Sequence, residues 1–280
     1  MTLRVGVHLP QFGRALTTGG IERAAQHAEA LGFSDVWVSD HLVLPEEQAY
    51  PAPMLADPLQ SLAFAAAATT SIGLGTSVLV GPQYTSPLAL ANTLASLDFL
   101  SGGRLIVGIG IGWSRREYEA LGASFDQRGA RLDEQLDLFR TAWSEDPATH
   151  EGRFYPFRAM RLLPKPANGT IPIWVGGTSD AALARAAAKG DGWHGIGIAP
   201  GDVGPYVEKL RASRPEEGFT ISIRAAWEPR NVSPEDIAAQ AQGYQAAGVD
   251  HVVAAPERGS LDTWLASMEL IARAAGLEPR

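Results

Sequence analysis

Five short stretches hold residues whose types and spacing could do chemistry. Asp40-His41 sets a carboxyl beside an imidazole just after a β-branched run. A histidine there can move protons or hydrogen-bond a flat ring near neutral pH. Leu74-Gly75-Thr76-Ser77-Val78-Leu79-Val80 interrupts an apolar strand with two hydroxyls, where a ring could approach the backbone. Gly108-Ile109-Gly110-Ile111-Gly112-Trp113 strips side chains from one strand face and permits close backbone approach. Trp174-Val175-Gly176-Gly177-Thr178-Ser179 joins a strand, two glycines, two hydroxyls and a helix start, the makings of an anion site. Gly190-Asp191-Gly192-Trp193-His194 makes a tight entry turn, after which Trp193 or His194 could face a pocket. His8 and Gln11 are weaker candidates, whereas His27, His150 and His251 read as structural or solvent-facing. Each stretch also has a plain structural reading: a satisfied polar pair, a buried strand, a tight turn, a capped helix or a core tryptophan.

Missing motifs narrow the chemistry. There is no cysteine, hence no thiol nucleophile, disulfide or cysteine metal site. No H-x-H lies on the first strand, and H-E-x-x-H, G-x-S-x-G and G-x-x-x-x-G-K-[ST] are all absent. G-x-G-x-G is not the dinucleotide fingerprint G-x-G-x-x-G, and it opens no helix directly. Glycine-lined strand ends and an anion loop without a metal or nucleophile set point to a cofactor enzyme.

The elements that must position these residues alternate in type. The first strand spans 3–9. Ile21, Ala24, Ala25, Ala28 and Leu31 share one helical face that Gly32 closes. The second strand is 35–38, a helix follows over 58–70, and the third strand lies within 72–80. Ser86-Pro87 reads as an N-cap and first helical residue, with Leu90, Leu94, Leu97 and Leu100 as the apolar stripe. The fourth strand is 104–109, and a long helix covers 128–144. The fifth strand is 171–175, with Ser179 capping the next helix. Strand 192–197, helix 203–212, strand 219–225, a helix starting at Ser233-Pro234 and strand 249–254 follow. Ser260 caps a last helix that aligns Leu261, Leu265, Met268 and Ala272. Eight strand–helix units predict an α/β fold, one (β/α)₈ TIM barrel domain over 1–280. Residues 112–168 form an insertion between strands four and five, over the face that carries the site.

Of the 280 residues, 45% are hydrophobic and 19% charged, which suits a globular chain with a large core. The formal net charge of −8, with no basic run, gives no footprint for nucleic acid or an anionic membrane. The start shows no signal-peptide pattern and no apolar run is long enough to span a bilayer, so the expectation is a cytoplasmic protein meeting a small-molecule substrate.

At these residues the chain resembles luciferase-like monooxygenases, particularly the branch that uses the deazaflavin coenzyme F420. The resemblance rests on Val38-Ser39-Asp40-His41, on Leu74-Gly75-Thr76-Ser77-Val78-Leu79, and on Leu97-Asp98-Phe99-Leu100-Ser101-Gly102-Gly103-Arg104 followed by 108–113. It also rests on Pro172-Ile173-Trp174-Val175-Gly176-Gly177 with Gly190-Asp191-Gly192-Trp193, and it spans nearly the whole chain. It implies that Asp40 and His41 sit by an isoalloxazine-type ring, with His41 as proton donor or acceptor. Ser77–Val78 would be a non-prolyl cis peptide whose bulge presses on one ring face. Gly110, Ile111 and Gly112 would line the ribityl side, and Gly176, Gly177 and Thr178 would hold the phosphate. Trp113 and Trp193 are expected near the ring. Trp113 stands where sugar-phosphate-oxidising relatives carry an acidic residue, which speaks against a phosphorylated sugar. The resemblance implies a coenzyme F420-dependent oxidoreductase, with two alternatives. One is an FMN-dependent monooxygenase fed by a partner reductase; the other is a flavin-binding protein without turnover. Relatives of this kind are often homodimers.

Overall fold

Alternation along the strands decides which side chains enter the barrel. In β1 (Arg4–His8), Val5 and Val7 point outward while Gly6 and His8 point in, and the same period of two runs through every barrel strand. The computed structural model describes residues 2–48, 54–215 and 218–279. After β1 come α1 (Gly20–Ala30), β2 (Asp35–Val38), α2 (Pro58–Ala68), β3 (Gly73–Thr76), β4 (Leu79–Val80), α3 (Pro87–Ser101) and β5 (Leu105–Gly110). Then follow α4 (Arg115–Ala120), α5 (Arg128–Ser144), the strands β6 (Ala148–His150) and β7 (Phe157–Met160), β8 (Ile173–Gly176) and α6 (Asp180–Lys189). The chain continues with β9 (Gly192–Ile196), α7 (Gly204–Ser213), β10 (Thr220–Ala225), α8 (Pro234–Ala246), β11 (His251–Ala254) and α9 (Leu261–Ala274).

The main sheet is parallel and closed. From β3 it runs through β2, β1, β11, β10, β9 and β8 to β5 and β4. β5 returns to β3 through the pairs Leu74–Leu105 and Gly75–Ile106. This is the expected (β/α)₈ barrel, with β3 and β4 as one interrupted stave. Val36, Val38, Leu74, Val107, Ile109, Val175, Ile223 and Val252 face outward and form the main core beneath the helices. Inside the barrel, Trp37, Trp174 and Val253 make a separate small cluster.

Segment 112–168 resolves into three parts. α4 lies over the carboxyl ends of the strands, α5 packs between α3 and α6 as the barrel's fourth helix, and β6 and β7 form an antiparallel hairpin. The expected caps hold at Ser179, Ser233 and Ser260, whose hydroxyls accept from the backbone N–H three residues on at 3.1–3.3 Å. Ser86 precedes α3 but makes no side-chain cap bond. Leu100 also departs from expectation: it is 82% exposed, and Ser101, one helical turn after Leu97, takes the inward place. The 97–104 signature does structural work. Asp98 accepts from the N–H groups of Leu105 and Ala167, and Arg104 ties α3 to carbonyls of Ala66, Thr69 and Ile72.

Candidate functional site

A cavity of about 320 Å³ opens at the carboxyl ends of the strands, within the usual range for small-molecule sites. Ser39, Asp40 and His41 enter it after β2, and Ser77, Val78 and Val80 from the β3–β4 stave. Gly112, Trp113, Ser114 and Glu117 come from the end of β5 and α4; Ile196 ends β9, and Arg224 lies near the end of β10. A hollow of about 500 Å³ lies on the outer face of α1 and α9, and one of about 670 Å³ lies between α2 and α3, reaching Leu42, Gln83 and Tyr84 beside the site.

His41 and Glu117 form a dyad. Both carboxylate oxygens of Glu117 lie on His41 Nδ1, at 3.0 and 3.2 Å, and Gln83 Nε2 donates to Glu117 Oε2 at 3.3 Å. The Glu117 side chain is 2% exposed, so the carboxylate is spent on these two partners. A carboxylate at Nδ1 keeps a proton there and leaves Nε2 to exchange one. Trp113 is 65% exposed and sets its ring edge-on to His41, with centroids 6.3 Å apart.

Asp40 turns inward beside them. Its Oδ2 accepts from the Val80 N–H at 2.8 Å, and the Tyr84 hydroxyl interacts with the same carboxyl. Burial pushes the carboxyl up to about 7, against the opposing pulls of the Val80 N–H and His41. The buried Tyr84 hydroxyl beside it is driven upward by burial and by Asp40.

The cleft floor is a bulge. The Ser77–Val78 peptide is cis, as the resemblance implies. Three glycines seat Val78. A Cβ at Gly110 would meet Val78 at 3.0 Å, one at Gly176 at 3.1 Å, and one at Gly108 would meet it at 3.4 Å and run into the Thr76 carbonyl at 1.9 Å. The G-x-G-x-G spacing thus makes room for a neighbouring side chain. Arg224 donates to Ser39 Oγ at 3.2 Å and to the Ser77 carbonyl at 3.4 Å, steadying the bulge from β10.

Of the expected cofactor residues, Asp40, Ser77, Val78 and Gly112 line the cleft together with His41. Gly110 lies beneath Val78, and Ile111 packs on the core while its carbonyl accepts from Tyr118 at 2.6 Å. Gly176 ends β8, and Gly177 and Thr178 start the neighbouring loop to α6, where Gly177 has a φ of 114°. Trp193 is fully buried on the outer side of β9, stacks on Tyr206 and donates to the Gly177 carbonyl at 2.7 Å. It braces the loop and does not reach the cleft, because strand alternation sends His194 inward instead. Gln11 is a clamp, donating to the Ser39 and Ala56 carbonyls at 2.7 and 3.0 Å. His8 is 1% exposed with both ring nitrogens unpaired, and burial holds it well below the ordinary histidine range.

Glu117, Gln83 and Arg224 escape a reading of the sequence. Ser114-Arg115-Arg116-Glu117 has the spacing of a capping box, so Glu117 reads as an ordinary helix-start carboxylate. Ser114 does accept from the Glu117 N–H, at 3.4 Å, but the carboxylate reaches His41. Among the described residues no cluster of side chains is fit to hold a metal, and no helix is long and apolar enough to cross a membrane.

Comparison with known proteins is decided by residues 4–227, which match the luciferase-like monooxygenase family. The chain belongs to that family. It is 33% identical over 184 residues to an uncharacterized protein of Mycobacterium tuberculosis, covering 61% of this chain and 65% of the relative. It is 34% identical over 172 residues to the F420-dependent glucose-6-phosphate dehydrogenase of Intrasporangium calvum, covering 59% of this chain and 50% of that enzyme. The chain therefore spans less than two thirds of both relatives. An F420-dependent secondary alcohol dehydrogenase in complex with an F420-acetone adduct superposes with a TM-score of 0.80 at 17% identity, over 98% of this chain and 99% of that one. Monooxygenase RslO1 of Streptomyces bottropensis gives 0.80 at 22% identity, over 97% and 98%. Both likenesses are of fold.

Proposed function

We propose that this protein is a coenzyme F420-dependent oxidoreductase. It moves a hydride between the deazaflavin and a small organic substrate, and His41 handles the accompanying proton. The observation that carries this reading is the His41–Glu117 dyad in a strand-end cleft beside the Val78 bulge. The residues fit a flat polar ring: the buried Asp40 carboxyl borders the cleft as a polar group, and Val78 offers an apolar platform. Asp40, Ser77, Val78, Gly110, Ile111 and Gly112 are the residues proposed to hold the ring and its ribityl side, with Gly176, Gly177 and Thr178 at the phosphate. The α6 N-terminus, capped by Ser179, supports an anion there. Bound in this way, the deazaflavin supplies the hydride chemistry.

The chain's own part is positional. Glu117 fixes the tautomer and orientation of His41. Asp40, its carboxyl pushed up to about 7 by burial, is divided between its protonated and ionised forms near neutral pH. Trp113 covers the cleft mouth as an exposed aromatic ring. The 34% identical F420-dependent dehydrogenase favours the deazaflavin over FMN, while Trp113 disfavours that relative's phosphorylated sugar. The same reading has the chain cytoplasmic and homodimeric. A partner reductase enters only if FMN is the cofactor.

A side-by-side titration with coenzyme F420 and FMN, read by tryptophan fluorescence, tests the reading. Tight binding of F420 alone supports it. Preference for FMN moves the assignment to a two-component monooxygenase, and binding of neither removes the cofactor. With F420 bound, His41→Ala is expected to lower turnover about 10²- to 10⁴-fold with little change in cofactor affinity.

A further inference from the structure

The barrel interior carries a polar chain where barrels of this class usually pack branched apolar side chains. Asp35 Oδ1, at the start of β2, lies 2.8 Å from His251 Nε2. His251 Nδ1 lies 2.8 Å from Ser222 Oγ, which lies 2.8 Å from His194 Nδ1. His194 Nε2 lies 2.8 Å from Ser77 Oγ, at the cleft floor. His194, Ser222 and His251 are 0% exposed, Asp35 2% and Ser77 3%. Trp37 stacks on His194 with centroids 5.2 Å apart and donates to Asp35 Oδ1, walling the chain from the side. At the far end Ser34, half-buried, donates to Asp35 Oδ2 at 2.7 Å.

Proton counting gives this chain a direction, because each serine has one proton to donate and each neutral imidazole one donor and one acceptor. If His251 is an imidazolium, it donates to Asp35 and to Ser222. Ser222 must then donate to His194 Nδ1, His194 donates from Nε2 to Ser77, and the Ser77 proton is released toward the cleft. If His251 is neutral and donates only to Asp35, every later bond reverses. Ser77 then donates to His194 and offers the cleft lone pairs alone. Asp35 favours the first arrangement: a buried carboxylate is best tolerated beside a balancing positive charge, and of its three partners, Ser34, Trp37 and His251, only the imidazole can carry one. Burial opposes its ionisation, but His251, Trp37 and Ser34 hold the carboxyl down at about 2, while burial brings His194 down to about 3 and keeps it neutral.

We propose that Asp35, His251, Ser222 and His194 are positioning residues that set the Ser77 hydroxyl as a hydrogen-bond donor to the ligand in the cleft. Its use toward a ring acceptor rests on the function proposed above; the polarity of the chain does not. The test reads histidine tautomers directly, by side-chain ¹H–¹⁵N spectra of the full-length, ligand-free protein labelled at histidine. The parent is expected to show His251 protonated on both nitrogens and His194 on Nε2 alone. Asp35→Asn is expected to move the His194 proton to Nδ1. Ser222→Ala, which cuts the chain midway, is expected to give His194 a mixture of tautomers even if Asp35→Asn fails to fold. An Nδ1–H tautomer of His194 in the parent overturns the proposal, as does a His194 signature unchanged in Ser222→Ala. Because no cofactor is present, this outcome is separate from that of the F420 and FMN titration.

Discussion

Replacing Asp40 with Asn removes a charge that burial resists while keeping the oxygen that accepts from Val80 N–H. The parent carboxyl ionises near 7 when folded and near 3.8, the ordinary value for an aspartate, when unfolded. Between those values the native state binds more protons than the unfolded state, so stability falls as pH rises. Each full unit of pH then costs about 1.4 kcal/mol, and integration from pH 5 to pH 8 gives a loss of about 2.5 kcal/mol. His8 and His194 pull the other way, since both are held neutral when folded and gain stability as pH rises through the unfolded histidine range. They are common to parent and variant, so the difference isolates Asp40. Urea unfolding at pH 5 and pH 8 should show Asp40→Asn gaining on the parent by about 2–3 kcal/mol over that interval. A difference that stays constant from pH 5 to pH 8 refutes the assignment and returns Asp40 to an ordinary ionised carboxylate.

Further perturbations probe the dyad, the seat of the bulge and the outer surface. Glu117→Gln loses the carboxylate that orients His41, and F420-linked turnover is expected to fall about 10²-fold with cofactor binding preserved; unchanged turnover removes Glu117 from the site. Gly108→Ala drives a methyl into the Thr76 carbonyl and is expected to cost roughly 3 kcal/mol or more, whereas Gly110→Ala meets only Val78 and costs about 1 kcal/mol. Equal denaturant midpoints for the two would contradict this packing account. Phe64 of α2 and Phe99 and Leu100 of α3 stand more than half exposed, with Leu100 at the rim of the 670 Å³ hollow; the proposed homodimer would cover apolar surface of this kind. Leu100→Asp should halve the mass measured by light scattering, and a parent that is already monomeric rules the dimer out.

The barrel was legible because its strand endings repeat one pattern, and the helix at 128–144 follows from its apolar spacing alone. The site was legible only where chemistry sits in consecutive residues. Asp40-His41 announces itself; Glu117 does not, because its local context explains it fully as a helix start. His251 reads as structural for a similar reason: one histidine on a short strand gives no sign that Ser222 and Asp35 lie at either ring nitrogen. Trp193 and His194 are adjacent, and which of them faces inward depends on strand register, which composition does not reveal. Leu100 failed as a stripe residue because Ser101 takes the inward place in the last turn and leaves Leu100 facing out. The three-glycine seat was visible as a motif, but its occupant, Val78, lies on a different strand.

That seat makes the cleft floor a joint property of distant segments. Val78 comes from the third stave, Gly108 and Gly110 from the fourth, and Gly176 from the fifth, separated by 98 positions from first to last. No fragment ending before β8 has the wall that Gly176 supplies, however well its own strands pair. Ligand binding by this protein is therefore a readout of barrel closure. A truncated or permuted chain should regain binding when β8 takes its place against β5, and not by degrees before.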